Sequence, residues 1–218
     1  MSQDHMLDYY AARAAEYDRV YLKPERQADL RQIEAWLPGR FNGRRVLEVA
    51  CGTGHWTRLI APVAAHVLAL DAASETLEIA RGRVPARSVD FVVADAYALP
   101  PCSPPFDAAF AGFWWSHVPR ARLREFLRGL HACLAPGARV VFLDNRYVPG
   151  SSTPVSPPDE EGDTWQQRHL DDGSTYRVLK NFPTEAALRQ AVEGLAANAQ
   201  FTTWDHYWAL AYETSEDF

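Results

Sequence analysis

Cysteine is scarce: the chain has three, Cys51, Cys102 and Cys133, odd in number, widely spaced and without a C-x-x-C pair. This excludes a disulfide-stapled extracellular scaffold and offers no zinc-type ligand set, so no metal is expected and the thiols read as reduced, in a cytoplasmic protein. Long apolar runs are lacking as well. The longest, Ala108 to Trp115, falls far short of the ~20 residues that span a bilayer. The polar start Met-Ser-Gln-Asp-His carries no charged-then-apolar signal sequence, so no membrane span is expected. Positive charge is in deficit, with 22 Lys plus Arg against 28 Asp plus Glu and a formal net charge of −6. An acidic surface repels phosphate backbones, so no nucleic-acid partner is expected. No residue pattern speaks to oligomeric state. What remains is a chain of 218 residues, 47% hydrophobic and 23% charged, globular in composition and long enough to bury a core without staples.

Its hydrophobic periodicity alternates. Leu7, Tyr10, Ala14, Tyr17 and Tyr21 recur at helical spacing, predicting a helix over 4–21 with an aromatic face. A second helix is expected from Pro24 to just before Pro38. Strands are expected at 45–50, 66–71, 89–95, 106–115 and 139–145, with helices from about His55, over 74–83 and over 119–134. Short apolar strands alternating with amphipathic helices call for a parallel sheet covered on both faces, closed by right-handed crossovers. The proline-rich stretch 146–163 reads as a loop. A hairpin is expected around Asp171-Asp172-Gly173, then a helix over 184–197 and one aromatic strand over 201–212. The expected fold is α/β: a doubly wound, mostly parallel sheet with helices on both faces. One domain is expected over 1–218, with a helical cap at 1–40, a core at 41–145, a substrate-side insertion at 146–181 and a C-terminal helix and strand at 182–218.

The most informative stretch is Val46-Leu-Glu-Val-Ala-Cys-Gly-Thr-Gly-His-Trp-Thr57. A strand running into Gly52-x-Gly54 and then a helix lets bare backbone approach a ligand and aims free N–H groups at an anion. Asp71 ends the second strand, where a carboxylate can accept from ribose hydroxyls, and Asp95 ends the third. With Glu48 inside the first strand, three acids and two glycines gather at one end of three neighbouring strands.

These features resemble the class I S-adenosylmethionine-dependent methyltransferases. The matches are Leu47-Glu-Val-Ala-Cys-Gly-Thr-Gly54, Ala69-Leu-Asp71, Val93-Ala-Asp-Ala96, Phe106-Asp-Ala-Ala-Phe-Ala-Gly112 and Leu134-Ala-Pro-Gly-Ala-Arg-Val-Val-Phe142, five motifs in order over roughly 40–145. The resemblance is to the small-molecule branch that includes the ubiquinone and menaquinone biosynthesis methyltransferases. It implies that the sheet is Rossmann-like and seven-stranded with an antiparallel C-terminal strand. It also implies S-adenosylmethionine as cofactor, S-adenosylhomocysteine as product, a small-molecule substrate and transfer by direct displacement. It further implies that Gly52 and Gly54 approach the methionine portion, Asp71 holds the ribose, and Asp95 with Ala96 flanks adenine. Glu48, Ala50, Ala72, Phe113 and Tyr17 complete the candidate cofactor site, since the leading helix of such enzymes often folds over it.

His117 follows strand four at the ligand-binding edge and is the candidate general base, its unperturbed pKa near ~6.5 suiting that task; the alternative is a packing role beside Pro119. Tyr9, Tyr10, Trp115, Asn145 and Arg146 are candidate substrate contacts. Ser103-Pro-Pro-Phe106 superficially matches a motif of amino-methylating enzymes but precedes strand four, so it reads as a rigid turn. Arg120, Arg124 and Arg128 read as a solvated helix face. Two other functions compete. A nicotinamide-dependent oxidoreductase would want a third glycine where Thr57 stands. A non-catalytic S-adenosylmethionine-binding protein would share every cofactor motif.

Overall fold

The computed structural model describes residues 9–84 and 88–215. Its main sheet has seven strands in the order β3-β2-β1-β4-β5-β9-β8. These are β1 (Arg45–Val49), β2 (His66–Asp71), β3 (Val89–Val93), β4 (Phe106–Gly112), β5 (Leu134–Asn145), β8 (Ala196–Thr203) and β9 (Tyr207–Thr214). The first five run parallel, and β9 runs antiparallel between β5 and the edge strand β8. A separate antiparallel hairpin joins β6 (Trp165–His169) to β7 (Thr175–Leu179). The helices are α1 (Gln27–Trp36), α2 (Thr57–Ile60), α3 (Ser74–Arg83), α4 (Leu123–His131) and α5 (Glu185–Ala191).

Alternation along β1 explains the layering. Val46 joins one buried cluster with Leu30, Ile33 and Leu37 around α1 and Leu77 of α3. Leu47 and Val49 join the other, with Phe126, Leu127 and Leu130 of α4 and Leu188 of α5. A strand buried on both faces reads as a continuous apolar run, as β1 does. The sheet is therefore doubly wound and mostly parallel, as the periodicity predicts, and has seven strands, as the family resemblance implies.

Several element bounds differ from expectation. In place of one helix over 4–21, residues 9–13 are α-helical and Ala14–Tyr21 is a 3-10 helix; residues 4–8 of that expectation lie outside the described residues. Tertiary packing overrides the helical spacing here: Tyr21 stacks on His55 with ring centroids 3.5 Å apart and on Phe113 at 5.8 Å. The expected helix over 119–134 is a 3-10 turn, Arg120–Arg122, followed by α4, and Leu134 opens β5 instead. Pro136 cannot continue a helix. Arg120, Arg124 and Arg128 are exposed. The aromatic stretch 201–212 is two strands, because Trp204 N–H closes a tight turn on Tyr207 O at 2.9 Å. The fold of β8 onto β9 brings the sheet to seven. Ser103-Pro-Pro-Phe106 is a surface turn leading into β4.

Candidate functional site

The sheet order reverses between β1 and β4, which pair with each other while their chains lead to opposite sides. In open α/β sheets a crevice forms at such a point, beyond the carboxyl ends of the strands. Ala50 follows β1 with φ 55° and Phe113 follows β4 with φ 60°. Both are non-glycine residues held in the left-handed region, a conformation that costs free energy and clusters at ligand sites. They stand on facing walls of a cleft of about 470 Å³.

Asp71, at the end of β2, organises the floor. Its carboxylate accepts from Gly52 N–H at 2.8 Å, Ala73 N–H at 2.9 Å and the Thr76 hydroxyl at 3.1 Å. Burial raises the pKa of Asp71 and these donors oppose the rise. Gly52 has φ +56°, and a Cβ there would stand 3.6 Å from the Tyr17 ring. That is ordinary contact, so it is the left-handed backbone and not the space that favours glycine here. Asp95 accepts Tyr97 N–H at 2.9 Å, tightening the turn after β3.

Of the residues singled out in the sequence, Tyr10, Tyr17, Ala50, Gly52, Asp71, Ala72, Asp95, Ala96, Phe113 and His117 line this cleft. Glu48 and Gly54 do not. Glu48 is 1% exposed, buried within β1. Burial pushes its carboxyl up to about 8, with Thr57 opposing, so near neutral pH it is a buried acid in its protonated form. Gly54 has φ +75°, and a Cβ there would lie 3.1 Å from the Ala80 Cβ; its part is to let the loop close against α3. Trp115 packs in the opposite core, its ring centroid 4.8 Å from Phe142 and 6.1 Å from Trp208. The Arg146 guanidinium points away and donates to Trp204 O at 2.7 Å. Trp114 adds an aromatic wall to the cleft, and Ala73, Thr76, Val93, Ala94 and Gly112 line it without having been named as site residues; the small or apolar side chains of these five carry no chemical signature.

His117 sits in a 3-10 turn after β4 and is 6% exposed. Its Nδ1 lies 2.7 Å from Leu179 O, an acceptor only, so the ring proton is on Nδ1. Nε2 therefore accepts the Tyr10 hydroxyl at 2.9 Å. Burial, reinforced by nearby Lys180, lowers the His117 pKa well below its ordinary value. Burial likewise raises Tyr10 well above its own. Both groups are neutral at physiological pH, and neither ring nitrogen is free.

Behind Tyr10, Tyr17, Phe113 and His117 lies a second, smaller cavity of about 70 Å³, which those four residues also line. Tyr9 and Asn145 face it, as do Ser151, Ser152 and Thr153 of the loop after β5, Gln166 and Arg168 of β6, and Lys180. Lys180 Nζ lies 3.1 Å from Asp144 Oδ1 and 2.5 Å from Ser116 Oγ. Burial pulls Asp144 upward, yet Lys180, His117 and two backbone N–H groups hold its carboxyl below the usual range. Among the described residues no group of three or more His, Cys, Asp or Glu could hold a metal ion.

Residues 46–137 match the family described as a methyltransferase domain. A demethylmenaquinone methyltransferase of Clavibacter sepedonicus is 30% identical over 74% of this chain and 63% of its own length. A second, from Renibacterium salmoninarum, is 36% identical over 49% of this chain and 43% of its own. The chain thus spans less than two thirds of these curated relatives. A solved DhpI–SAH complex is 28% identical, with a TM-score of 0.79, over 97% of this chain and 96% of that one. Over its core the chain is similar to S-adenosylmethionine-dependent methyltransferases in sequence and in fold. In a dinucleotide-binding sheet the strand beyond β5 would be parallel; here it is β9, antiparallel.

Proposed function

We propose that the chain transfers the methyl group of S-adenosylmethionine to a small-molecule acceptor. The observation that carries this reading is the junction of two cavities: a large cleft with one pinned carboxylate, and a smaller polar chamber sharing four of its wall residues. When bound, the sulfonium supplies an electrophilic methyl carbon open to in-line displacement. The chain's task is then to hold and align. Gly52 and Ala50 offer bare or nearly bare backbone beside the methionine portion. Asp71 keeps lone-pair capacity for ribose hydroxyls, and the turn Asp95-Ala96 borders the adenine. Alignment and exclusion of water lower such a barrier by up to roughly 7–11 kcal/mol. His117 orients the Tyr10 hydroxyl at the junction rather than taking a proton, because burial makes it a weak base and both ring nitrogens are engaged.

The names of the demethylmenaquinone relatives support a small-molecule acceptor, and the acidic chain argues against nucleic acid. The three cysteines, unpaired and two of them buried, support a cytoplasmic setting. The division into cap, core, insertion and C-terminal unit stands as part of this reading. Titration of the protein with S-adenosylhomocysteine and with NAD tests it. Tight binding of the former and none of the latter is the expected result. NAD binding more tightly would return the oxidoreductase reading, and nucleoside binding with no labelled methyl transfer to any of a broad acceptor panel would leave a binding protein.

A further inference from the structure

In a chain of net charge −6, the smaller cavity is lined by five cations, Arg13, Lys23, Arg26, Arg168 and Lys180, and by no carboxylate. Lys180 is neutralised from behind by Asp144. The other four have no carboxylate partner within 4 Å among the described residues.

Their hydrogen bonds go to neutral oxygens. Arg26, 4% exposed, donates to Asn145 Oδ1 at 2.8 Å and to Ser151 Oγ at 3.0 Å. Lys23 donates to the carbonyl of Ser151. Arg168 donates through Nη2 to Gln166 Oε1, while its buried Nε has no partner. The Arg13 guanidinium rests 5.1 Å from the Tyr17 ring centroid and 5.6 Å from that of Tyr9. Burial first, then the repulsion of Arg26, lowers Lys23; burial, Arg13 and Arg26 together lower Arg168. Gathering like charges out of water without a counter-charge is costly. Glu25, outside the cavity, offsets Lys23 and Arg26 in part, reached through the Ser151 hydroxyl; no carboxylate faces the cavity itself, and an anion seated there would complete the set.

We infer that the acceptor carries an oxyanion, a carboxylate or phosphoryl group, which seats against Lys23, Arg26 and Arg168 in this cavity. The rest of the acceptor then passes Tyr10 and His117 toward the cleft. The planar guanidinium forks of Arg26 and Arg168 suit bidentate recognition of either group. The inference rests on the methyltransferase reading for what fills the larger cleft, while the charge of the smaller cavity stands independently of it.

The full chain, saturated with S-adenosylhomocysteine, is titrated calorimetrically with inorganic phosphate and, separately, with acetate. Saturable binding of at least one anion is expected, weakened about tenfold or more in Arg168→Gln and in Lys23→Gln, with partial recovery in Arg168→Lys and unchanged nucleoside affinity throughout. Stronger phosphate binding marks a phosphoryl acceptor and stronger acetate binding a carboxylate. Melting temperatures identify any variant that has failed to fold, and half-buried Lys23 is the variant least exposed to that failure. Two results overturn the inference: no saturable binding of either anion to protein that does bind the nucleoside, or anion binding indifferent to both Gln variants. If the nucleoside fails to bind while phosphate affinity still follows Arg168, the oxyanion site stands and the methyltransferase reading falls.

Discussion

The two cavities that meet at Tyr10 and His117 are assembled in opposite ways. The large cleft draws most of its wall from three successive turns, after β1, β2 and β3, and from the turn after β4. Each follows a strand hydrogen-bonded into the parallel part of the sheet, three of them interior and β3 at its edge. The small basic cavity is drawn from the segment around Arg13, the turn at Lys23–Arg26, the loop at Ser151–Thr153 and the hairpin β6–β7, two stretches of chain more than a hundred residues apart that meet only through tertiary packing. A site on strand ends can keep its geometry while its neighbour changes. A site assembled from loops can be re-cut for a new substrate without disturbing the sheet.

If that contrast holds, damage to one cavity should spare the other. The largest effect is expected from deleting 150–162, which removes Ser151, Ser152 and Thr153 and the chain that carries β6. Methyl transfer should be lost while S-adenosylhomocysteine affinity, read by calorimetry, is nearly unchanged; wild-type turnover in the deletion would make the segment decoration. Asp71→Ala acts on the other side. With ribose hydroxyls left buried and unpaired, nucleoside binding should weaken by about 1–3 kcal/mol, and phosphate binding should not move.

The smallest effect is expected at the junction. His117→Ala removes an acceptor for the Tyr10 hydroxyl, and stability should fall by about 1–3 kcal/mol with turnover per folded molecule little changed. A fall of ~10²–10⁴-fold would instead identify a base. The pH dependence carries the same distinction. Because the folded pKa of His117 is depressed, the unfolded chain binds the proton first. Its contribution to stability is therefore intact above the unfolded value near ~6.5 and is lost as the pH falls toward the folded one. Thermal melts from pH 7 downward should show a steeper decline in the wild type than in His117→Ala. The wild-type rate should show no acidic limb near pH ~6.5.

The same contrast explains what was legible in the sequence. The sheet, its winding and the cleft were readable, because a strand buried on both faces leaves an apolar run and a glycine turn leaves a spacing. Glu48 and Gly54 were drawn into the cofactor site by their motif, although one is buried within β1 and the other closes a loop against Ala80; a motif does not say which of its members face the ligand. Trp115 and Arg146 sit one position away from residues that do line a cavity, Trp114 and Asn145; Trp115 enters the opposite core from a 3-10 turn, and Arg146 is drawn off to Trp204 O. The five cations were invisible as a group. Arg13, Lys23, Arg26, Arg168 and Lys180 share no spacing, and only the folded loops bring them together. For the four other than Lys180 the signal was the absence of a carboxylate ion-pair partner, which a one-dimensional reading does not show.

Tyr10 and Tyr17 belong to the walls of both chambers, and this joins the exchange rates of the two ligands. A nucleoside leaving past those rings must move a wall against which the acceptor's charged end is seated, and the converse holds for the acceptor. Each occupant thus acts as a kinetic brake on the other, even where equilibrium affinities are independent. Stopped-flow displacement of S-adenosylhomocysteine should slow when phosphate fills the basic chamber, and identical release rates with and without phosphate would mean that the two ligands leave by separate doors.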